Sequence, residues 1–164
     1  MSVDDPIFAS RRRVQGYALV VAFVFLIIGV LGFVPGLTSN YGTILHVGAD
    51  SQAHLLGFFQ VSVVHNVVHL IFGVAGVLAA RRLVWSRIYL VAGGCLYLAL
   101  AVYGMLIDHH SVANVLPVNN ADNWLHIALG VVMVLLAVDP RGSQRPLLPG
   151  KRLPRRKRLR PRRG

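Results

Sequence analysis

The chain has 164 residues, 55% of them hydrophobic, and a mean hydropathy of +0.60, which is high for a soluble domain. Its formal charge of +11 is unevenly spread: residues 1–139 hold six basic and six acidic side chains, so the excess belongs to the stretch that follows. One cysteine, Cys95, excludes an intramolecular disulfide and a thiolate metal site; its apolar neighbours predict a buried thiol.

Four apolar stretches predict four membrane spans. The first runs from Val14 to Val34 and stops at the turn signal Pro35-Gly36. Upstream, Ser10-Arg11-Arg12-Arg13 is similar to a twin-arginine signal. The stretch after it has the length of a retained span and no small-residue cleavage site. The second span is read as Leu55 to Ala80, stopped by Arg81-Arg82. The third extends from Ile88 to Ile107, and the fourth from Trp124 to Val138, closed by Asp139-Pro140. A bilayer core needs about 20 helical residues, so the fourth draws on Ala121 to Asn123. Short connections favour an antiparallel four-helix transmembrane bundle, an all-α membrane protein. Glycines recur in every span and let helix backbones approach closely.

The basic residues orient this bundle. Arg11, Arg12 and Arg13 precede the first span, and Arg81, Arg82 and Arg87 fill the second connector. The remaining eleven lie between Arg141 and Arg163, and the loops 35–54 and 108–122 have none. By the positive-inside rule the chain is a multi-pass protein of the cytoplasmic (inner) membrane with both termini cytoplasmic. Residues 1–13 form a short cytoplasmic segment, 14–139 the membrane domain and 140–164 a basic tail. Trp85 and Trp124 suit the two interfacial belts.

The second span holds the most informative polar residues. Ser62, His65, Asn66 and His69 fall within a roughly 100° arc of one helix face, together with Gly73 and Gly76. With a helix through Leu55 to Ala80 they lie near the bilayer midplane, where an unpaired polar group costs several kcal/mol. Gln60 points elsewhere and needs its own partner. The fourth span supplies Asp122, Asn123 and His126, with Asn120 or Asp122 placed to cap the helix. On this reading His126 is shallower than His65 by about 8–10 Å.

Three functions compete for these residues. In the first, Ser62, His65, Asn66, His69, Asp122, Asn123 and His126 form a buried cluster that hydrogen-bonds between helices in an accessory or structural protein with no cofactor. The second is a haem- or divalent-metal-binding redox protein using His65, His69 and His126, since imidazole suits Zn, Cu and haem iron. The depth difference opposes this. The third is a small transporter, which requires a homo-oligomer because four short spans enclose little volume. His46, His54, His109 and His110 lie in or beside the outer loops with Asp50 and Asp108, mostly as solvated residues. The sequence has no nucleotide-binding glycine loop, no nucleophile–base set and no glutamate, so an enzyme is disfavoured.

The run Phe59-Gln60-Val61-Ser62-Val63-Val64-His65-Asn66-Val67-Val68-His69-Leu70-Ile71-Phe72-Gly73-Val74-Ala75-Gly76 resembles the signature of the bacterial membrane family named "domain of unknown function 4383". So do Asn119-Asn120-Ala121-Asp122-Asn123-Trp124-Leu125-His126 and Phe33-Val34-Pro35-Gly36-Leu37-Thr38. The resemblance covers about Val14 to Asp139. It implies a four-span, mostly actinobacterial membrane protein and supplies no activity.

The tail has five prolines, eleven basic residues and no apolar periodicity, a composition that predicts disorder. Lys151, Arg152, Arg155, Arg156, Lys157, Arg158, Arg160, Arg162 and Arg163 are placed to meet anionic lipid headgroups at the adjacent membrane. Nucleic acid is a poorer partner, because no aromatic residue interleaves the run to stack on bases. A peptide of residues 140–164 is expected to bind anionic vesicles in a flotation assay. Binding should fall as salt shortens the Debye length below about 10 Å. Equal binding to neutral vesicles would remove the electrostatic reading.

Overall fold

The computed structural model describes residues 6–139, with side chains from Arg13 onward; the predicted tail and its lipid-contacting residues lie outside the described residues. Four helices dominate: α1 (Pro6–Leu31), α2 (Val63–Ala79), α3 (Leu83–Leu106) and α4 (Asn120–Ala137). Three segments are long and apolar enough to cross a membrane, Arg13–Leu31, Leu83–Leu106 and Asn120–Ala137. The shorter α2 is equally apolar.

The predicted second span is the main correction. Leu55 to Gln60 is not helical. It contributes to a small antiparallel sheet of β1 (Thr38–Ser39), β2 (His54–Leu55) and β3 (Phe59–Gln60), in the order β1-β2-β3. The fold is therefore helical with a sheet inserted into the loop between α1 and α2. Leu56 and Gly57 take positive φ values of 54° and 77° and reverse the chain between β2 and β3, a conformation that glycine allows freely. The helix starts only at Val63, after Ser62, whose hydroxyl accepts from the His65 backbone N–H at 3.1 Å. The next free donors also find acceptors: Val63 N–H bonds to the Leu45 carbonyl at 2.9 Å and Val64 N–H to that of His46 at 3.0 Å. His65 thus sits in the first turn of α2, not at the middle of a span.

The helices form two antiparallel hairpins, α1 with α2 and α3 with α4. In each, a glycine near the outer end of the first helix seats an asparagine of the second. A Cβ on Gly32 would collide with the side-chain amide of Asn66, and one on Gly104 with that of Asn123. Further down, Gly73 lies against Leu26 and the Ala22 carbonyl, while Gly130 lies against Leu98 and the Gly94 carbonyl. One step along the chain carries Ala22, Leu26 and Gly32 to Gly94, Leu98 and Gly104. Another carries Ser62, Asn66, His69 and Gly73 to Asn119, Asn123, His126 and Gly130. Corresponding positions of the two hairpins thus make contacts of the same kind.

Between them lies an apolar core that includes Val14, Ala18, Phe25, Leu90, Tyr97 and Met133. The Tyr17 hydroxyl donates to Asp139 Oδ2 at 3.1 Å, tying α1 to the end of α4. Leu19, Val20, Phe23, Ile27, Ile71 and Leu135 face outward, as a lipid-facing surface requires. Cys95 is exposed on α3, contrary to its predicted burial; the run around it is apolar because it faces out, where lipid replaces protein as the apolar neighbour.

The glycine seats make a quantitative prediction. Gly32→Ala should destabilise the fold by about 1–3 kcal/mol through overpacking against Asn66. Combining it with Asn66→Ala should recover about 1 kcal/mol relative to the sum of the two single changes, since the amide is what the new methyl meets. Denaturation in detergent would measure this. Strict additivity would show that the seat is not formed.

Candidate functional site

The outer ends of α2 and α4 are built alike. Asn119 caps α4 as Ser62 caps α2, its side chain accepting from Asp122 N–H at 3.0 Å. Asp122 Oδ2 in turn accepts from Asn119 N–H at 2.9 Å, completing a capping box. The cap is thus Asn119, not Asn120 or Asp122. The same carboxylate oxygen accepts from the Gln60 backbone N–H at 3.0 Å, which joins the sheet to α4. The Gln60 side chain donates to the carbonyls of Ala49 and Ser51. Gln60 therefore finds its partners in the outer loop.

All seven residues of the predicted polar cluster are buried. They fall into two sets. Ser62 and Asp122 serve helix starts, while Asn66 and Asn123 occupy the glycine seats. Asn66 forms no side-chain hydrogen bond among the described residues, and Asn123 only a 3.5 Å contact from Nδ2 to His109 Nε2. Their amides act by close contact rather than as interhelical hydrogen-bond bridges.

The second set is His65, His69 and His126. The His65 and His69 rings stack at 4.7 Å between centroids with planes 18° apart, as their spacing of one helical turn allows. The His126 ring lies 6.4 Å from that of His65. His126 is therefore not shallower than His65 by the predicted amount, because α2 begins later than the hydropathy run suggests and places His65 in its first turn. Phe25 stacks on His69 at 5.7 Å, and Tyr97 meets His126 edge-on at 5.1 Å. These aromatic partners occupy equivalent places in the two hairpins.

Their hydrogen bonds fix the tautomers of two rings. His65 Nδ1 lies 3.1 Å from the Pro117 carbonyl and His69 Nδ1 3.1 Å from the His65 carbonyl. A carbonyl only accepts, so each Nδ1 carries the proton and each Nε2 carries the lone pair. His126 Nδ1 is buried with no hydrogen-bond partner among the described residues.

Two cavities of about 260 and 240 Å³ meet at these imidazoles. The first is walled by Val68, Tyr97, Leu100, Leu116 and Val118, the second by Ile28, Leu31, Phe59, Val61 and Leu125. Leu100, Leu116, Val118 and Val68 correspond in the repeat to Ile28, Phe59, Val61 and Leu125. The cavities are two versions of one pocket.

His65 and His69 are not arranged to chelate one metal ion between them. In-plane lone pairs of two stacked rings lie in nearly parallel layers and do not converge on one ion. Among the described residues no group of three or more His, Cys, Asp or Glu is placed to hold a metal. The outer-loop histidines are dispersed: His54 Nδ1 contacts the Gln52 carbonyl, His109 Nε2 the Gly104 carbonyl, and the His110 N–H reaches Asp108 Oδ1.

Phe25, Tyr97, Gly32, Gly104 and Pro117 complete the site and were not predicted to do so. A signal for part of it is present in the chain: Asn, His and Gly recur at the same spacing as Asn66/His69/Gly73 and as Asn123/His126/Gly130. Neither a curated protein nor a solved structure matches this chain. The sequence model described as "Domain of unknown function (DUF4383)" matches residues 15–138, and the chain, a helical protein with membrane-spanning helices, belongs to that family.

Proposed function

We propose that the protein is a non-catalytic accessory component of the cytoplasmic membrane, a rigid scaffold of two duplicated hairpins with both ends in the cytoplasm. The observation that carries this reading is the pair of glycine seats. Each hairpin spends a buried asparagine on close packing with its partner helix, as small residues at membrane helix interfaces permit. The arginine-containing connector between α2 and α3 supports the orientation. So do Trp85 and Trp124, both exposed, one beside that connector and one at the opposite end of the bundle. The basic tail then adds contact with anionic headgroups on the cytoplasmic face.

Phosphatase and fluorescent-protein fusions test the orientation. Fusions at Thr43 and Val115 should give an active periplasmic phosphatase, and a fusion at Gly142 a fluorescent cytoplasmic reporter. An active phosphatase at Gly142 would overturn the arrangement. Absorption and metal analysis test the scaffold reading itself. The purified protein is expected to show no Soret band and no near-stoichiometric metal; either signal, lost in His69→Gln, would replace the scaffold with a redox centre.

A further inference from the structure

We propose that the first cavity, at the His65–His69–His126 cluster, is a binding site for a small neutral phenol drawn from the bilayer. This goes beyond the scaffold reading, which uses the asparagines and caps but leaves the imidazoles without a task. Here Nδ1 of His65 and of His69 is held by a carbonyl, and the opposite edges, carrying the Nε2 lone pairs, border the cavity. The third ring, only 4% exposed, closes the wall beside them.

The chemistry of the occupant follows from the walls. Val68, Leu100, Leu116 and Val118 are aliphatic, and the Tyr103 hydroxyl is engaged by the Ala113 carbonyl. The polar groups of the lining are then the imidazole nitrogens and the Tyr97 phenol, and a ligand with one hydroxyl suits both, donating to an imidazole and accepting from the phenol. Among the described residues no Lys or Arg side chain lines the cavity, so an anion finds no counter-charge there. The Tyr97 ring in the wall favours an aromatic body.

Size sets a further limit. At about 260 Å³ the space exceeds the roughly 150 Å³ that admits a benzene, and falls short of the roughly 300–1,000 Å³ usual for larger ligands. A single ring with a short alkyl group fits. Val68, Tyr103 and Val115 are exposed at the margin, so the cavity reaches the surface that faces lipid and loop. Parallel lone pairs that cannot chelate an ion are well suited to accept from a hydroxyl.

The test uses the full-length protein in phosphatidylcholine nanodiscs, titrated with para-pentylphenol and with para-pentylanisole, which has the same shape without the donor. Binding of the phenol should saturate at one molecule per chain, about tenfold tighter than the anisole, the worth of one neutral hydrogen bond. Histidine side-chain nitrogen NMR should show an Nε2 resonance moving with the phenol alone. Leu100→Trp, which fills the cavity and leaves the imidazoles in place, should abolish saturation. His69→Phe, which keeps the ring stack, should reduce the tenfold preference or remove it. Equal affinity for both probes, unsaturable partitioning matching that of empty nanodiscs, or unchanged binding in Leu100→Trp would each overturn the proposal. The wild-type comparison decides the matter even if either variant fails to fold.

Discussion

The two returning helices start beneath the loops that precede them, and the rest of the structure depends on how their first backbone N–H groups are met. An orphaned donor out of reach of water costs several kcal/mol. For α2 the answer is the Ser62 hydroxyl plus two loop carbonyls, of Leu45 and His46. For α4 it is the reciprocal pairing of Asn119 and Asp122. Since one oxygen of Asp122 also accepts from Gln60, a single carboxylate anchors the start of α4 and the last strand of the sheet. The loops are thus part of the helix starts, and His69 and His126 stand the same number of residues beyond their caps.

Much of the architecture is written in hydropathy and arginine placement. The start of α4 near Asn120 could be read from Asn119-Asn120-Ala121-Asp122, because capping residues in a row have few other uses. The start of α2 could not. Leu55 to Val61 is as apolar as a helix, and only the reversal at Leu56-Gly57 and the pairing with β1 make it a strand pair. A short apolar run bears no periodic mark that separates strand from helix, and long-range pairing decides. That single error displaced His65 to midspan and produced the false separation from His126. The exposure of Cys95 was illegible for a related reason: in lipid an apolar run does not say which side faces protein.

The polar residues show how similar side chains in one cluster divide their labour. Asparagine on a glycine seat fixes distance between helices, whereas histidine with one nitrogen tied down presents the other in a defined direction. The repeat separates these roles more clearly than the cluster alone does. Asn66 and Asn123 match, as do His69 and His126, but His65 corresponds to Asp122. Where the first hairpin places an imidazole beside the cavities, the second places a carboxylate already engaged by two backbone donors. The near-symmetry is therefore broken at the point where the two cavities meet.

The late start of α2 also bears on the shape of the surrounding membrane. Its 17 residues and the 18 of α4 rise about 26 and 27 Å at 1.5 Å per residue, whereas the 24 residues of α3 rise about 36 Å. A hydrocarbon layer near 30 Å is too thick for the first pair and thin enough for the third. If α2 and α4 both cross the bilayer, matching their length requires lipid beside them to thin by a few ångströms, which α3 does not require. Such a bilayer would be uneven in thickness, pinched on two flanks, and neighbouring proteins with short spans would find the least elastic penalty there.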